Sequence, residues 1–410
     1  MTPPNRIQPR RLLVRGVNWL GDAVMATPAL LRLRERFPGA HLALLTPEKL
    51  RDLWQHHPAV NETLSFAPGE GLFAVARKLR AGNFDLALVL PNSPRSALEV
   101  RLARIPERVG YARPWRNWLL TQALPARPGA IKMHKRSVAE IRQLIAAPET
   151  GTGVKLGSCR REEAEGVDFP AVSASSRRQL RAESSFETDS ENFSAHQIHD
   201  FLYLAAALGA NPEPLAPKLF VALEEVAAVK AKFQLAEVSG PILGLNPGAE
   251  YGPAKRWPVE HFIAAAREIQ KRTQCTWLIL GGKSDAALAT EIQSAIRNPQ
   301  SAIHNLAGQT SVRELCALLK LCRVLLTNDT GPMHVAAALD TPVVVPFGST
   351  SPELTGPGLP GDPRHRLLPS DAPCSPCFLR ECPIDFRCLK GISVERVVEA
   401  VVQVVEPLNR

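Results

Sequence analysis

No run of about 18 uninterrupted apolar residues occurs in this 410-residue chain, so no membrane-spanning helix is expected. The first ten residues are polar, include Pro3, Pro4 and Pro9, and lack the apolar core of a secretory leader, which leaves a cytoplasmic location as the expectation. Aromatic residues are scarce at 6%, too few for the stacking platforms of a single-strand-binding protein. With no recognition helix, zinc finger or RNP-like motif either, no nucleic-acid partner is expected. A GxGxxG fingerprint is missing after the first strand-like segment, which argues against a bound nicotinamide dinucleotide.

Apolar residues make up 45% and charged residues 22%, a soluble balance, and the length suffices for two domains. The net charge of +9 is uneven: residues 1–140 hold 22 Lys and Arg against 10 Asp and Glu, so they carry +12 and the rest about −3. By charge alone, a nucleic acid, a membrane surface or a phosphorylated glycolipid fits the first part, and so does a merely solubilising face.

Short apolar runs alternate with helical periods. LLV (12–14), LALL (42–45) and LALVL (86–90) read as strands, a helix is expected over 27–37, and the pattern continues to about residue 142. Continuous apolar strands of this kind belong to a parallel sheet covered on both faces. Residues 148–197 turn serine-rich without any apolar period, and a disordered insertion is expected there. A helix over 201–208 precedes Pro212, Pro214 and Pro217. Strands then recur at 242–245, 277–280, 324–326 and 343–345, with helices at 258–270, 285–296 and 331–339 and a last one at about 394–404. The units fall into two Rossmann-like domains, 1–215 and 216–410, facing a central cleft.

Polar residues gather in the loops after strands. Asn18-Trp19-Leu20-Gly21-Asp22 follows the first strand, where open α/β sheets place ligands. Gly21 permits close approach of a substrate, and Asp22 reads either as a helix N-cap or as a carboxylate that takes a proton from an attacking hydroxyl. The loop NPGAEYGPAKRWP (246–258) sets Lys255 and Arg256 before a helix, either against a diphosphate or as a solvated pair. TNDTGPMH (327–334) opens another helix, whose free N–H groups suit a phosphate. There Thr330 adds a hydroxyl, Asp329 can accept from sugar hydroxyls, and His334 is a pocket residue or a structural one. Asp285, at the end of GGKSD (281–285), is a ribose ligand or an N-cap. Gln309 could touch a base, and Thr310 is a suitable N-cap for the next helix.

Of eight cysteines, Cys159, Cys275, Cys316 and Cys322 are scattered and expected as thiols in a reducing compartment. Cys374, Cys377, Cys382 and Cys388 cluster. Their first pair has metal-ligand spacing and their second does not, so a reduced thiol-rich loop is expected and a metal is not predicted.

NWLGDAVMATPAL (18–30), LPNSPRSA (90–97), NPGAEYGPAKRWP (246–258) and NDTGPMHVAAAL (328–339) resemble the bacterial ADP-heptose:lipopolysaccharide heptosyltransferases of glycosyltransferase family 9, which are inverting enzymes. Trp19 and the long loop before Pro258 look most like heptosyltransferase II, the member adding the second heptose. A first- or third-heptose enzyme is the nearest alternative, and another nucleotide-sugar enzyme or a basic nucleic-acid-binding protein a remoter one. The resemblance implies an α/β GT-B fold with the acceptor in the first domain and ADP-heptose in the second. It implies Asp22 as general base and Lys255 on the donor diphosphate, with Thr330 and Gly331 as further phosphate contacts. Asp329 would hold the donor heptose and His334 line the pocket. Asp285 would meet the ribose, and Gln309 and Thr310 the adenine. Asn246, Gly248 and Arg256 complete the expected donor set; Asn18, Trp19, Asn92, Arg95 and Arg113 form the acceptor set. Arg101, Arg104, Arg108, Arg116, Lys132 and Lys135 are further candidates for the phosphorylated acceptor or for anionic headgroups. The implied partners are ADP-heptose, a Kdo–lipid A glycolipid and the inner-leaflet surface, with the protein a peripheral monomer. No cofactor or catalytic metal is implied, ADP-heptose being a substrate.

Overall fold

A computed structural model describes residues 8–146, 195–238, 240–297 and 303–406. The first sheet takes β1 (Arg11–Arg15), β2 (His41–Pro47), β3 (Glu62–Phe66), β4 (Leu86–Val89), β5 (Glu107–Tyr111) and β6 (Gln122–Leu124) in the order β3-β2-β1-β4-β5-β6. The second takes β7 (Ile242–Asn246), β8 (Thr276–Ile279), β9 (Ile303–Asn305), β10 (Val324–Thr327), β11 (Val343–Phe347) and β12 (Arg366–Pro369) in the order β12-β11-β10-β7-β8-β9. Every pairing is parallel. Read from β9 to β12, the second sheet repeats the topology of the first. In each, strand order reverses beside the first strand, between β1 and β4 and between β7 and β10, which opens a crevice at their carboxyl ends.

The helices among the described residues are α1 (Leu20–Met25), α2 (Thr27–Arg36), α3 (Leu72–Ala81), α4 (Pro94–Leu102), α5 (Val138–Ala146), α6 (Ile198–Ala206) and α7 (Leu223–Lys232). They continue as α8 (Val259–Thr273), α9 (Ala286–Ile296), α10 (Val312–Leu321), α11 (Gly331–Ala338), α12 (Pro352–Thr355), α13 (Arg387–Lys390) and α14 (Val394–Val405). None is long and apolar enough to cross a membrane.

The two-residue period of a strand divides the core. Leu13, Ala43 and Leu45 pack with α3 and α4, while Trp277, Ile279, Val324 and Leu326 pack with α8, α9 and α14. The alternate residues, Leu12, Val14, Leu42 and Leu44 of the first sheet and Leu278, Leu325, Val343 and Val345 of the second, belong to one continuous cluster with α1, α2, α6, α10 and α11. The inner faces of both halves therefore share a core.

That shared core runs through the contact of α1 with α11. A Cβ at Gly21 would stand 2.7 Å from Cδ2 of His334, and one at Gly331 would stand 2.9 Å from Cδ2 of Leu20. Each helix offers a glycine to the other's side chain. Pro332 fits because it falls in the first turn of α11, where its missing N–H has no partner to lose.

Three expectations need correction. The serine-rich insertion is expected to reach residue 197, but its last three residues are packed: His196 is buried with Nε2 2.9 Å from the Gly356 carbonyl, and the Gln197 N–H donates to Leu354 O at 3.0 Å. The remainder of that stretch, Cys159 included, lies outside the described residues. The cap of α10 is Ser311 rather than Thr310, because Ser311 and Glu314 form a reciprocal pair: Oγ accepts from the Glu314 N–H at 3.2 Å and the carboxylate from the Ser311 N–H at 2.8 Å. Trp19, not Asp22, is the N-cap of α1, which leaves Asp22 in the first turn.

Replacing Gly331 or Gly21 by Ala is expected to destabilise the protein by about 1–3 kcal/mol through overpacking between α1 and α11. Thermal melts check this; wild-type melting of both variants would refute the interlock.

Candidate active site

The crevice of the second sheet is held open by side chains of its own loops. Asn246 is buried and donates to the Thr327 hydroxyl at 3.0 Å, so its amide braces β7 against β10 rather than facing a ligand. Asn328, fully buried, accepts from the Trp257 N–H at 2.9 Å and donates to Pro247 O at 2.7 Å. Those bonds fix both ends of the 246–258 loop. Gly248 lies against Asp285, whose carboxylate a Cβ would strike. Asp285 also accepts from the Gly282 N–H at 2.9 Å, a capping role beside the loop. Gln309 is exposed and donates to Asn305 O at 2.8 Å.

Above this frame, Lys255 Nζ donates to Asp329 Oδ2 at 2.7 Å, and the Thr350 hydroxyl donates to the same oxygen at 2.6 Å. Lys255 and Asp329 are largely withdrawn from solvent, with side chains 15% and 4% exposed, so the pair is held in a low-dielectric setting. The ammonium also sits 5.0 Å from the Tyr251 ring centroid. Arg256, by contrast, is exposed and donates to Ala249 O at 3.3 Å. Thr330 caps α11 by backbone alone, and its hydroxyl makes no capping bond.

Asp22 faces this group from the other half. Its pKa is raised, chiefly by burial, against the lowering effects of a hydrogen bond from the Gln197 side chain and of the nearby Lys255 charge. A carboxylate of the first domain and the ammonium of the second thus share one gap. His334 borders it and is buried; burial holds its pKa down to about 4, so its imidazole is neutral at ordinary pH. At the mouth, Lys49 lies 5.4 Å from the Trp19 ring centroid and pairs with Glu250 at 3.4 Å, a weak exposed bridge between the halves.

The first-sheet crevice has a buried ionic base that the sequence reading missed. Arg15 pairs with Glu99 at 2.9 Å, with side chains 4% and 0% exposed, and its NH1 donates to Asn18 Oδ1 at 3.2 Å. Glu99 also binds Arg95 Nε at 3.1 Å, so Arg95 is half engaged in structure. Asn92 and Arg113 are exposed. Arg108 and Arg116 are corrections: both are buried, not presented to an acceptor or headgroup. Arg108 donates to the carbonyls of Ile105, Pro106 and Leu119. Arg116 donates to Pro91 O at 2.6 Å, its Nε and NH2 lack partners, and burial lowers its pKa to about 10. Gln197, Thr350 and Tyr251 are also additions to the site; a hydroxyl three residues past a strand or an amide after a serine-rich run carries no periodic signal.

The cysteine-rich segment supports the Lys255 loop from outside. Tyr251 OH donates to Phe378 O at 3.0 Å, Arg380 Nε donates to Tyr251 O at 2.7 Å, and the Ala254 N–H donates to Arg380 O at 3.0 Å. Cys374, Cys377, Cys382 and Cys388 are free thiols. Burial pushes Cys388 up to about 12, helped by the other three, so the four lie near one another. Among the described residues, no group of three or more His, Cys, Asp or Glu is placed to hold a metal ion.

Twin parallel sheets with crevices confronting each other across a gap, one lined by a carboxylate and one by a cation and a helix start, define a GT-B glycosyltransferase. The sequence profile of glycosyltransferase family 9 (heptosyltransferase) matches residues 72–169 and 171–386. The chain is 30% identical over 355 residues to lipopolysaccharide heptosyltransferase 2 of Salmonella typhimurium, covering 85% of each. It is 22% identical over 348 residues to lipopolysaccharide heptosyltransferase 3 of Escherichia coli, covering 80% of each. The solved structure of E. coli ADP-heptose lps heptosyltransferase II superposes with a TM-score of 0.69 at 26% identity, covering 96% of this chain and 98% of that one. The chain belongs to glycosyltransferase family 9, the heptosyltransferases.

The raised pKa of Asp22 sets two pH effects. On the reading of Asp22 as general base it must be ionised, so turnover should fall on acidification with a limb shifted up from the ordinary carboxylate value, and the neutral His334 should add no limb between about pH 6 and 7. The folded state holds the Asp22 proton to higher pH than the unfolded chain does. This contribution therefore favours folding at low pH and is lost as pH rises through the folded value. Asp22→Asn should accordingly melt higher than wild type near pH 7.5 and lose that advantage in acid; a lower melting point at both would contradict the burial argument.

Proposed function

We propose that this protein transfers heptose from ADP-heptose to the inner-core heptose of a Kdo–lipid A glycolipid, in lipopolysaccharide core biosynthesis. The donor occupies the second domain, 216–410, and the acceptor the first, 1–215. The observation that carries this reading is the convergence of Asp22 with the Lys255–Asp329 pair across one gap. Its similarity to heptosyltransferase 2, closer than to heptosyltransferase 3, supports the second-heptose position.

The reaction is a single inverting displacement. Asp22 takes the proton of the acceptor hydroxyl while that oxygen bonds to the anomeric carbon. The bond from that carbon to the β-phosphate oxygen breaks, and ADP leaves with the electron pair. Gln197 orients the Asp22 carboxyl. Lys255 shifts from Asp329 to the departing diphosphate, Thr330 and the N–H of Gly331 add phosphate contacts, and the released Asp329 accepts from heptose hydroxyls. His334, neutral, packs beside the sugar. Asp285 lies towards the ribose, and Gln309 and Thr310 towards the adenine. Asn18, Trp19, Asn92, Arg95 and Arg113 receive the acceptor. The protein works as a monomer on the cytoplasmic face of the inner membrane, held peripherally by its basic half.

ADP release is expected with ADP-heptose and singly heptosylated Kdo–lipid A, and not with the unheptosylated acceptor; the reverse preference would assign the first-heptose reaction. Asp22→Asn should abolish turnover while still binding donor, and Lys255→Ala should lower kcat about 10²–10³-fold. Normal turnover in Asp22→Asn would overturn the base assignment.

A further inference from the structure

The segment after β5 carries two indoles with no visible structural duty. Trp115 is 86% exposed and Trp118 68% exposed. They do not hang from a loose loop: the Arg113 N–H donates to Asn117 Oδ1 at 2.8 Å, the Arg116 N–H to Arg113 O at 3.3 Å, and the Leu120 N–H to Asn117 O at 3.1 Å. The root is the buried Arg116, tied to Pro91 O at 2.6 Å. Trp115 has φ 66°, a left-handed conformation that a bulky residue adopts only when its surroundings impose it. The fold thus holds an indole outward at a cost in backbone strain. An exposed pair of this size on a tight loop marks a contact surface.

The charge of this stretch of sequence says what kind. Residues 101–136 contain nine Lys and Arg and one acidic residue, Glu107. Of these, Arg101, Arg104, Arg113, Lys132 and Lys135 are exposed. Indoles on a basic stretch of chain, with Arg113 exposed in the same loop, suit the headgroup region of an anionic bilayer, where rings sit at the interface and cations meet lipid phosphates.

We propose that the 112–120 loop, through Trp115 and Trp118, docks this protein onto an anionic bilayer surface. The docking point adjoins the acceptor entrance, because Arg116 holds the carbonyl of the residue preceding Asn92. A lipid-anchored acceptor would then present its sugars at the first-sheet crevice without leaving the membrane. This rests on the reading of the acceptor as a glycolipid.

The test uses the full chain with vesicles of phosphatidylethanolamine and phosphatidylglycerol, compared with phosphatidylcholine alone. Wild type should co-sediment with the anionic vesicles, less so as salt rises. The variant Trp115→Ala/Trp118→Ala should bind them roughly tenfold more weakly or worse. Its turnover on a deacylated, water-soluble acceptor should equal that of wild type. Indole quenching by bromine-labelled lipid should be strong in wild type and reduced in the variant. Equal vesicle binding by both proteins overturns the proposal, as does no binding by either. A variant that turns a dimer into a monomer with vesicle binding unchanged would show the loop to be a self-association face. Failure of wild type on the soluble acceptor would count against the heptose reading alone, since the vesicle arm needs no turnover.

Discussion

The close crossing of α1 and α11 is the constraint on which the site depends. Two helix starts, one from each half, approach until glycine is the only residue that fits opposite His334 and opposite Leu20. Asp22 is one residue beyond Gly21, and Thr330 one before Gly331, so this contact also sets how near the carboxylate comes to the second half. A core cluster continuous across both sheets lies behind it. The gap between Asp22 and Lys255 is therefore the edge of a packed interface, and loosening that interface would separate the groups on either side of it.

Electrostatics in the gap follow from burial. Desolvation disfavours the charge of Asp22 and raises its pKa, and the Gln197 hydrogen bond and the Lys255 charge act in the opposite direction. His334 experiences the same desolvation and loses its charge, which leaves Lys255 as the cation opposite Asp22. Around them, buried amides and ion pairs carry no chemistry but fix loop geometry: Asn328 holds the 246–258 loop, and Arg15 with Glu99 supports the loop of Asn18. Such neutral or paired supports keep the site rigid without adding charge to it.

Much of this was legible in the chain. Continuous apolar runs announced parallel strands, because a strand covered on both faces has no polar side to alternate. Gly21 with Asp22, the Lys255 loop and the 327–334 turn stood out because each directly follows such a run. Edge strands such as β6 and β9 were not visible, since three half-exposed residues leave no pattern. Side-chain duties were harder still. Asn246 and Arg116 are polar residues in suggestive places, yet their partners, Thr327 and the Pro91 carbonyl, are distant in sequence and known only once the chain is folded. Gln197 followed a featureless stretch and gave no local hint of its bond to Asp22.

Lys255 and Asp329, as an ion pair, neutralise each other. A small anion such as orthophosphate would have to separate that couple unaided. On the proposed reading, a nucleotide sugar would bring hydroxyls to replace the ammonium on Asp329 as its diphosphate claims Lys255. Such an exchange would favour a ligand carrying both functions on one molecule, so that selectivity against abundant cellular phosphate would come from a swap of partners rather than from the shape of the cavity.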